Sequence, residues 1–180
     1  MRVVITGGPG SGKTSLLNAL AKQGLTTVAE INRPLIVTQQ TMANPALPWH
    51  NTAQFVKLAA DLMQLVWQRP PAPLSVYDRG IPDLYAYLYL ADFPIPDWLT
   101  TLANHCRYHR FVFWCPPWPE IFKQDPERQQ SLSDAIQLGL HTREVYLSLG
   151  YQVIDIPKIS PASRACWLLQ QLRQPVPHPV

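Results

Sequence analysis

Near the start of the chain, Gly7-Gly8-Pro9-Gly10-Ser11-Gly12-Lys13-Thr14 fits the spacing G-x-x-x-x-G-K-[ST]. Glycines at this spacing let the main chain curl around an anion with its N–H groups turned inward. The Lys13 ammonium can then neutralise terminal phosphates, and the Thr14 hydroxyl can ligate Mg²⁺. The expected nucleotide-binding set is Gly8, Gly10, Ser11, Gly12, Lys13, Thr14 and Ser15. Such a loop works only between a buried strand and a helix whose first amides face the phosphates. Val3-Val4-Ile5 precedes it, and Leu16, Leu17 and Leu20 recur at helical spacing after it.

Three further groups can do chemistry. The apolar run Leu74–Tyr77 ends in Asp78-Arg79, an acid followed by a base, where motor ATPases carry Asp-Glu. Asp78 would order Mg²⁺ together with Thr14 or take a proton, and Arg79 would hold acceptor or phosphate. Glu30 closes a short apolar segment and is placed to accept the proton of an attacking hydroxyl, with Arg33 beside it as a substrate clamp. The segment from Trp118 to Arg128 falls where a lid would close over phosphates, with Arg128 the first candidate for transition-state charge and Lys123 the second. The catalytic set is thus Lys13, Glu30, Asp78 and Arg128. Without Asn-Lys-x-Asp for guanine, ATP is the expected donor.

Plainer readings stand beside these. Asp78 can be a cap, Glu30 an acid stabilised at a helix start by a few tenths of a kcal/mol, and the segment 118–128 a solvated helix. Tyr85 and Tyr89, one turn apart, read as core before they read as a ring-stacking pair. Asp83 reads as favouring its own helix start, and the histidines lack partners at metal-ligand spacing.

The elements that must position these residues alternate in type. Strands are expected at Arg2–Thr6, Thr26–Ala29, Leu74–Tyr77, Arg110–Cys115 and Tyr151–Ile156. Helices are expected from about Lys13 to Gln23, Thr52 to Gln68, Pro82 to Ala91, from about Asp97, from Leu132 to Leu149, and around Ala165–Leu172. The inward face of the second helix is read as Phe55, Leu58, Ala59, Leu62, Leu65 and Val66; the stretch after Glu30 stays ambiguous. Short apolar strands alternating with helices imply a three-layer α/β fold, a five-stranded parallel sheet covered on both faces, with the site at the carboxyl ends of the strands.

A chain of 180 residues, 47% hydrophobic, suffices for one domain, read here as 1–174, with 175–180 a Pro-rich extended or disordered tail. The formal charge is +3 and only 15% of residues are charged, with the basic ones scattered, so neither a nucleic-acid nor a membrane-binding face is expected. Cys106, Cys115 and Cys166 read as reduced thiols, and no segment reaches the roughly 20 apolar residues of a span, which together place the chain in the cytoplasm.

These residues resemble the NadR/Ttd14-like P-loop NTPase family, often catalogued as AAA-type ATPases and kinase-like in fold. The resemblance rests on the glycine loop, Glu30-x-x-Arg33, Asp78-Arg79-Gly80-x-Pro82-Asp83, Pro116-Pro117-Trp118-Pro119-Glu120 with Asp125-x-x-Arg128, and Leu149-Gly150-Tyr151. It implies an ATP site and, in one branch, a ribosylnicotinamide kinase module; in another, nucleotide-binding regulators. The combined expectation is transfer of the ATP γ-phosphate to a small nucleoside- or nucleotide-like acceptor. The rivals are a slow ATPase switch read by a partner and a nucleotide-binding module without chemistry.

Overall fold

The computed structural model describes residues 1–70, 72–122 and 131–173. Strands β1 (Arg2–Thr6), β2 (Thr26–Val28), β3 (Ser75–Asp78), β4 (Phe111–Trp114) and β5 (Gln152–Asp155) form one sheet in the order β2-β3-β1-β4-β5. Every pairing is parallel, with Val3 opposite Val76 and Val4 opposite Val112. The central strand is apolar at Val3, Val4 and Ile5 because it is covered on both sides: Val3 and Ile5 join one core and Val4 another, as the two-residue period of a strand requires.

Helices α1 (Lys13–Lys22), α2 (Asn32–Gln39), α3 (Thr52–Trp67), α4 (Asp83–Leu90), α5 (Asp97–His105), α6 (Leu132–Ser148) and α7 (Pro161–Arg173) supply the two outer layers. Leu16, Leu17 and Leu20 of α1 and Ala165 and Leu168 of α7 bury against Val3, Ile5, Val76 and Phe113. Phe55, Val56 and Ala59 of α3 meet Leu84 and Leu88 of α4 and Leu99 of α5 in a separate core. Tyr146 of α6 lies over Val4 and Val112 on the face opposite α1. This is the expected three-layer arrangement, with element ends shifted by one or two residues.

Two expectations change. The ambiguous stretch contains α2, whose Pro34 sits in the first turn, where no intrahelical N–H donor is needed. The inward stripe of α3 is rotated: Leu65 is 59% exposed and Leu62 is also exposed, while Val56, Ala60 and Met63 are buried. Both sets recur at three- and four-residue spacing, so periodicity alone selects neither. The tail 175–180 lies outside the described residues.

Candidate active site

β1 delivers the chain into the glycine loop at its carboxyl end, and α1 begins directly after it. Gly12, at the helix N-cap, has φ +82°, a left-handed conformation that a side chain would strain. Gly8 is fixed by proximity instead: a Cβ there would collide with the Ala135 carbonyl oxygen of α6. The loop is also braced from within. Ser11 Oγ donates to the Gly8 carbonyl at 2.8 Å, and Lys13 Nζ donates to the Gly7 and Gly8 carbonyls at 2.9 and 2.8 Å. Burial pulls the Lys13 pKa below its ordinary value, and the neighbouring Arg79 charge adds to the effect.

The loop floors a cavity of about 530 Å³. Gly10, Gly12, Lys13, Thr14 and Ser15 line it, whereas Ser11 turns inward and Gly8 rests on α6. Segments after β2 and β3 contribute Glu30, Arg33 and Arg79 to the same wall, together with Trp49. Segments after β4 and β5 contribute Trp118, Ile121, Ile159 and Arg164. Sequence reasoning thus anticipates Glu30, Arg33 and Arg79 on the cavity wall. Lys123 and Arg128, the expected lid cations, lie outside the described residues.

Arg79 organises the wall on the β2–β3 side. Its φ is +72°, unusual for a residue with a side chain, and its guanidinium is almost wholly buried. Nε donates to Glu30 Oε1 at 2.7 Å, while Nη1 donates to the Gly7 carbonyl at 3.0 Å and to Asp83 Oδ1 at 3.1 Å. One guanidinium therefore ties the candidate base to the phosphate loop.

Asp83 does more than favour the start of α4. Fully buried, it accepts from Thr6 Oγ1 at 2.6 Å and Tyr146 Oη at 2.7 Å, and from the Gly80 amide at 2.9 Å, besides Arg79. Every available lone-pair direction of the carboxylate is engaged, which is how a buried charge is tolerated. Asp78 is different. It is 4% exposed and does not line the cavity, and its Oδ1 has no hydrogen-bond partner among the described residues. Burial raises its pKa to about 6, against the opposing pull of Lys13.

Several wall residues escaped the sequence reading. Tyr87 lines the cavity, whereas Tyr85 is in the core and Tyr89 is exposed beside the His141 ring. Asn32 lines it too, with Nδ2 3.5 Å from Tyr87 Oη. Arg164 was also missed, although a signal existed: it occupies the position four residues before Leu168 on the buried stripe of α7.

A family model described as AAA domain matches residues 2–164. No curated protein matches the sequence. Among solved structures, deoxyadenosine kinase from M. mycoides with bound dATP is similar, with TM-score 0.61 at 11% identity over 97% of this chain and 100% of that one. The same enzyme with dCMP and a flexible dCDP bound gives 0.66 at 12%, covering 96% and 98%. Shikimate kinase from Acinetobacter baumannii in complex with shikimate gives 0.61 at 14%, covering 95% and 92%. At these identities the likeness is one of fold, the α/β P-loop fold of small-molecule kinases.

Proposed function

The chain belongs to this AAA-domain family of P-loop NTPases, and from that premise we propose that it binds Mg·ATP and moves the γ-phosphate to a small nucleoside- or nucleotide-like acceptor. The observation that carries the reading is that Glu30 and the loop residues Lys13, Thr14 and Ser15 line one cavity of about 530 Å³. Donor and acceptor can then meet without crossing bulk water. Solved structures of the same fold with dATP or shikimate bound support a cleft that takes a nucleotide and a small molecule.

In this reading the loop amides and Lys13 hold the phosphate chain, Lys13 giving up its two carbonyl contacts for phosphate oxygens. Glu30 takes the proton of the acceptor hydroxyl as the acceptor oxygen bonds to Pγ and the bond to the β–γ bridging oxygen breaks, releasing ADP. Glu30 suits this better than Asp78: it lines the cavity at 23% side-chain exposure, and Arg79 Nε at 2.7 Å fixes its orientation. Arg33 clamps the acceptor and Arg79 holds Glu30 against the glycine loop; Arg128, outside the described residues, remains the candidate for transition-state charge.

The residues fit Mg²⁺. Thr14 is exposed on the cavity wall, and Asp78 carries a buried oxygen that has no hydrogen-bond partner among the described residues. These two would hold the ion, which when bound neutralises phosphate charge.

The test supplies Mg·ATP with pools of nucleosides, nucleotides and sugars and reads by mass spectrometry which molecule gains a phosphoryl group. Glu30→Gln should lower transfer by roughly 10²- to 10⁴-fold. ATP loss at one slow rate whatever is added would defeat the kinase reading. That outcome would select a slow ATPase switch, which the Glu30–Arg79 ion pair favours, because a carboxylate oxygen already held by a guanidinium is not turned toward an acceptor hydroxyl.

A further inference from the structure

A second arginine is buried at the cavity in a wholly different setting. Arg164, in the first turn of α7, is 1% exposed, yet it forms no ion pair among the described residues. Its Nη1 makes two long contacts, 3.4 Å each, to the Ser11 and Gly12 carbonyls, its guanidinium also reaches the neutral Cys115 thiol, and its Nε has no hydrogen-bond partner among the described residues. The Trp118 ring lies 5.6 Å from the guanidinium centre. Arginine is almost never fully buried without a counter-charge, because removing a guanidinium from water costs more than long carbonyl contacts return.

The surroundings increase the demand for an anion. The first turns of α1 and α7 both border the cavity, through Lys13, Thr14 and Ser15 and through Pro161 and Arg164. Each helix start carries positive partial charge, so Arg164 sits at the end of its own helix where a cation is disfavoured. Arg79, which lines the same cavity, is engaged by Glu30 and Asp83, so among the described residues those two acids are already committed to another guanidinium. The loop makes room for this cation: a Cβ on Gly12 would stand 2.7 Å from Arg164 Nη1.

We propose that Arg164 is a phosphate-contacting residue, whose guanidinium bears on the phosphate chain of a nucleoside polyphosphate held by the glycine loop. This deepens the nucleotide-binding reading above and rests on it. The assignment gives the site a cation from α7, fixed in place before the ligand arrives.

The experiment measures binding of Mg·ATP and of inorganic tripolyphosphate by calorimetry to the full chain and to Arg164→Met, Arg164→Lys and Lys13→Ala. A lost hydrogen bond to a charged group corresponds to roughly 10- to 100-fold in affinity. Arg164→Met should lose about that factor for both ligands, since both present phosphate oxygens. Arg164→Lys should lose less, because it keeps the charge without the fork; if the Met variant does not fold, the Lys variant is read alone, with loss for both ligands supporting the proposal. Unchanged ATP affinity would overturn it, as would a loss for ATP with none for tripolyphosphate, or failure of the parent chain to bind tripolyphosphate, since the contact would then be to the base. Hydrogen exchange of the Gly10–Lys13 amides in the ligand-free protein should be the same in parent and variant; faster exchange would make Arg164 a brace for the loop and overturn the contact. Lys13→Ala separates the two readings: if it binds ATP as the parent does, the nucleotide site itself is wrong.

Discussion

Arg79 and Arg164 are both buried arginines bordering one cavity, and they are held in opposite ways. Arg79 has short bonds to two carboxylates, Glu30 at 2.7 Å and Asp83 at 3.1 Å, on the side built from segments after β2 and β3. Arg164, on the side built after β4 and β5, has two carbonyls at 3.4 Å and the Trp118 ring. The first cation is neutralised within the protein, so its work is to fix the geometry of Glu30 and the glycine loop. The second retains its charge toward the cavity. A cleft built this way has one wall that positions and one wall that attracts.

The largest expected effect tests the positioning wall. Asp83→Leu removes a carboxylate that serves Thr6, Gly80, Tyr146 and Arg79 and leaves the guanidinium with a lone acid partner in Glu30. Stability should fall by about 3–5 kcal/mol, the cost of breaking one partner out of a buried charge pair. Urea unfolding measures it, and a loss under about 1 kcal/mol would mean that the carboxylate network is not what anchors this side.

Next in size is the pH response of Asp78, which is buried at the end of β3 and does not line the cavity. Its folded pKa is raised to about 6 from the ordinary 3.8, burial being the main cause. A raised acid binds its proton more tightly when folded, so its contribution to stability is complete below the unfolded value. That contribution declines as pH rises toward about 6 and stays level above it. The ligand-free protein should lose on the order of 2–3 kcal/mol of this contribution between about pH 4 and pH 6, and Asp78→Asn should flatten that part of the profile. The same titration opposes Mg²⁺, so metal-dependent nucleotide affinity should climb over that interval. A stability profile identical in parent and Asn variant would show that Asp78 feels no burial.

A smaller effect probes the strut joining the two sides. A Cβ on Gly139 of α6 would lie 2.9 Å from the Gly8 amide nitrogen and 3.2 Å from Gly8 Cα. Gly139→Ala therefore sets a helix-propensity gain of about 1 kcal/mol against overpacking of about 1–3 kcal/mol on rigid backbone. Net stability should drop by about 1–2 kcal/mol, with weaker ATP binding because the collar is displaced. Unchanged ATP affinity would show that the loop accommodates the extra methyl group.

What the sequence discloses about this cleft follows from which physical signals are local. The glycine loop is legible because its backbone demands and its lysine recur in a fixed spacing, and β1, β3 and β4 because strands covered on both faces read as apolar runs. Glu30, Arg33 and Arg79 reach the cavity as expected because residues just past strand ends in a parallel sheet converge there. Tyr87 and Arg164 were not legible as wall residues, since helical periodicity identifies a buried stripe without saying whether its end meets core or cavity. The hub role of Asp83 was hidden for a related reason: Thr6, Gly80 and Tyr146 come from three separate parts of the chain, and only folding brings them to one carboxylate. α2 was invisible because Asn32-Arg33-Pro34 interrupts any apolar repeat at the point where the helix begins.

The smallest predicted effect is also the sharpest contrast with Asp83. Arg164→Met keeps a stem of similar length in the same packing against Gly12 and the Trp118 ring while removing a cation that no carboxylate balances. Deleting a buried charge that no carboxylate among the described residues balances returns its desolvation cost, and the lost contacts are two long hydrogen bonds, the contact with the Cys115 thiol and a cation–π interaction of about 0.5–2 kcal/mol. These terms oppose one another, so the ligand-free variant should unfold within about 1 kcal/mol of the parent. A loss approaching that of Asp83→Leu would place Arg164 with Arg79, as a cation held for the sake of the fold, and would erase the distinction between the two walls.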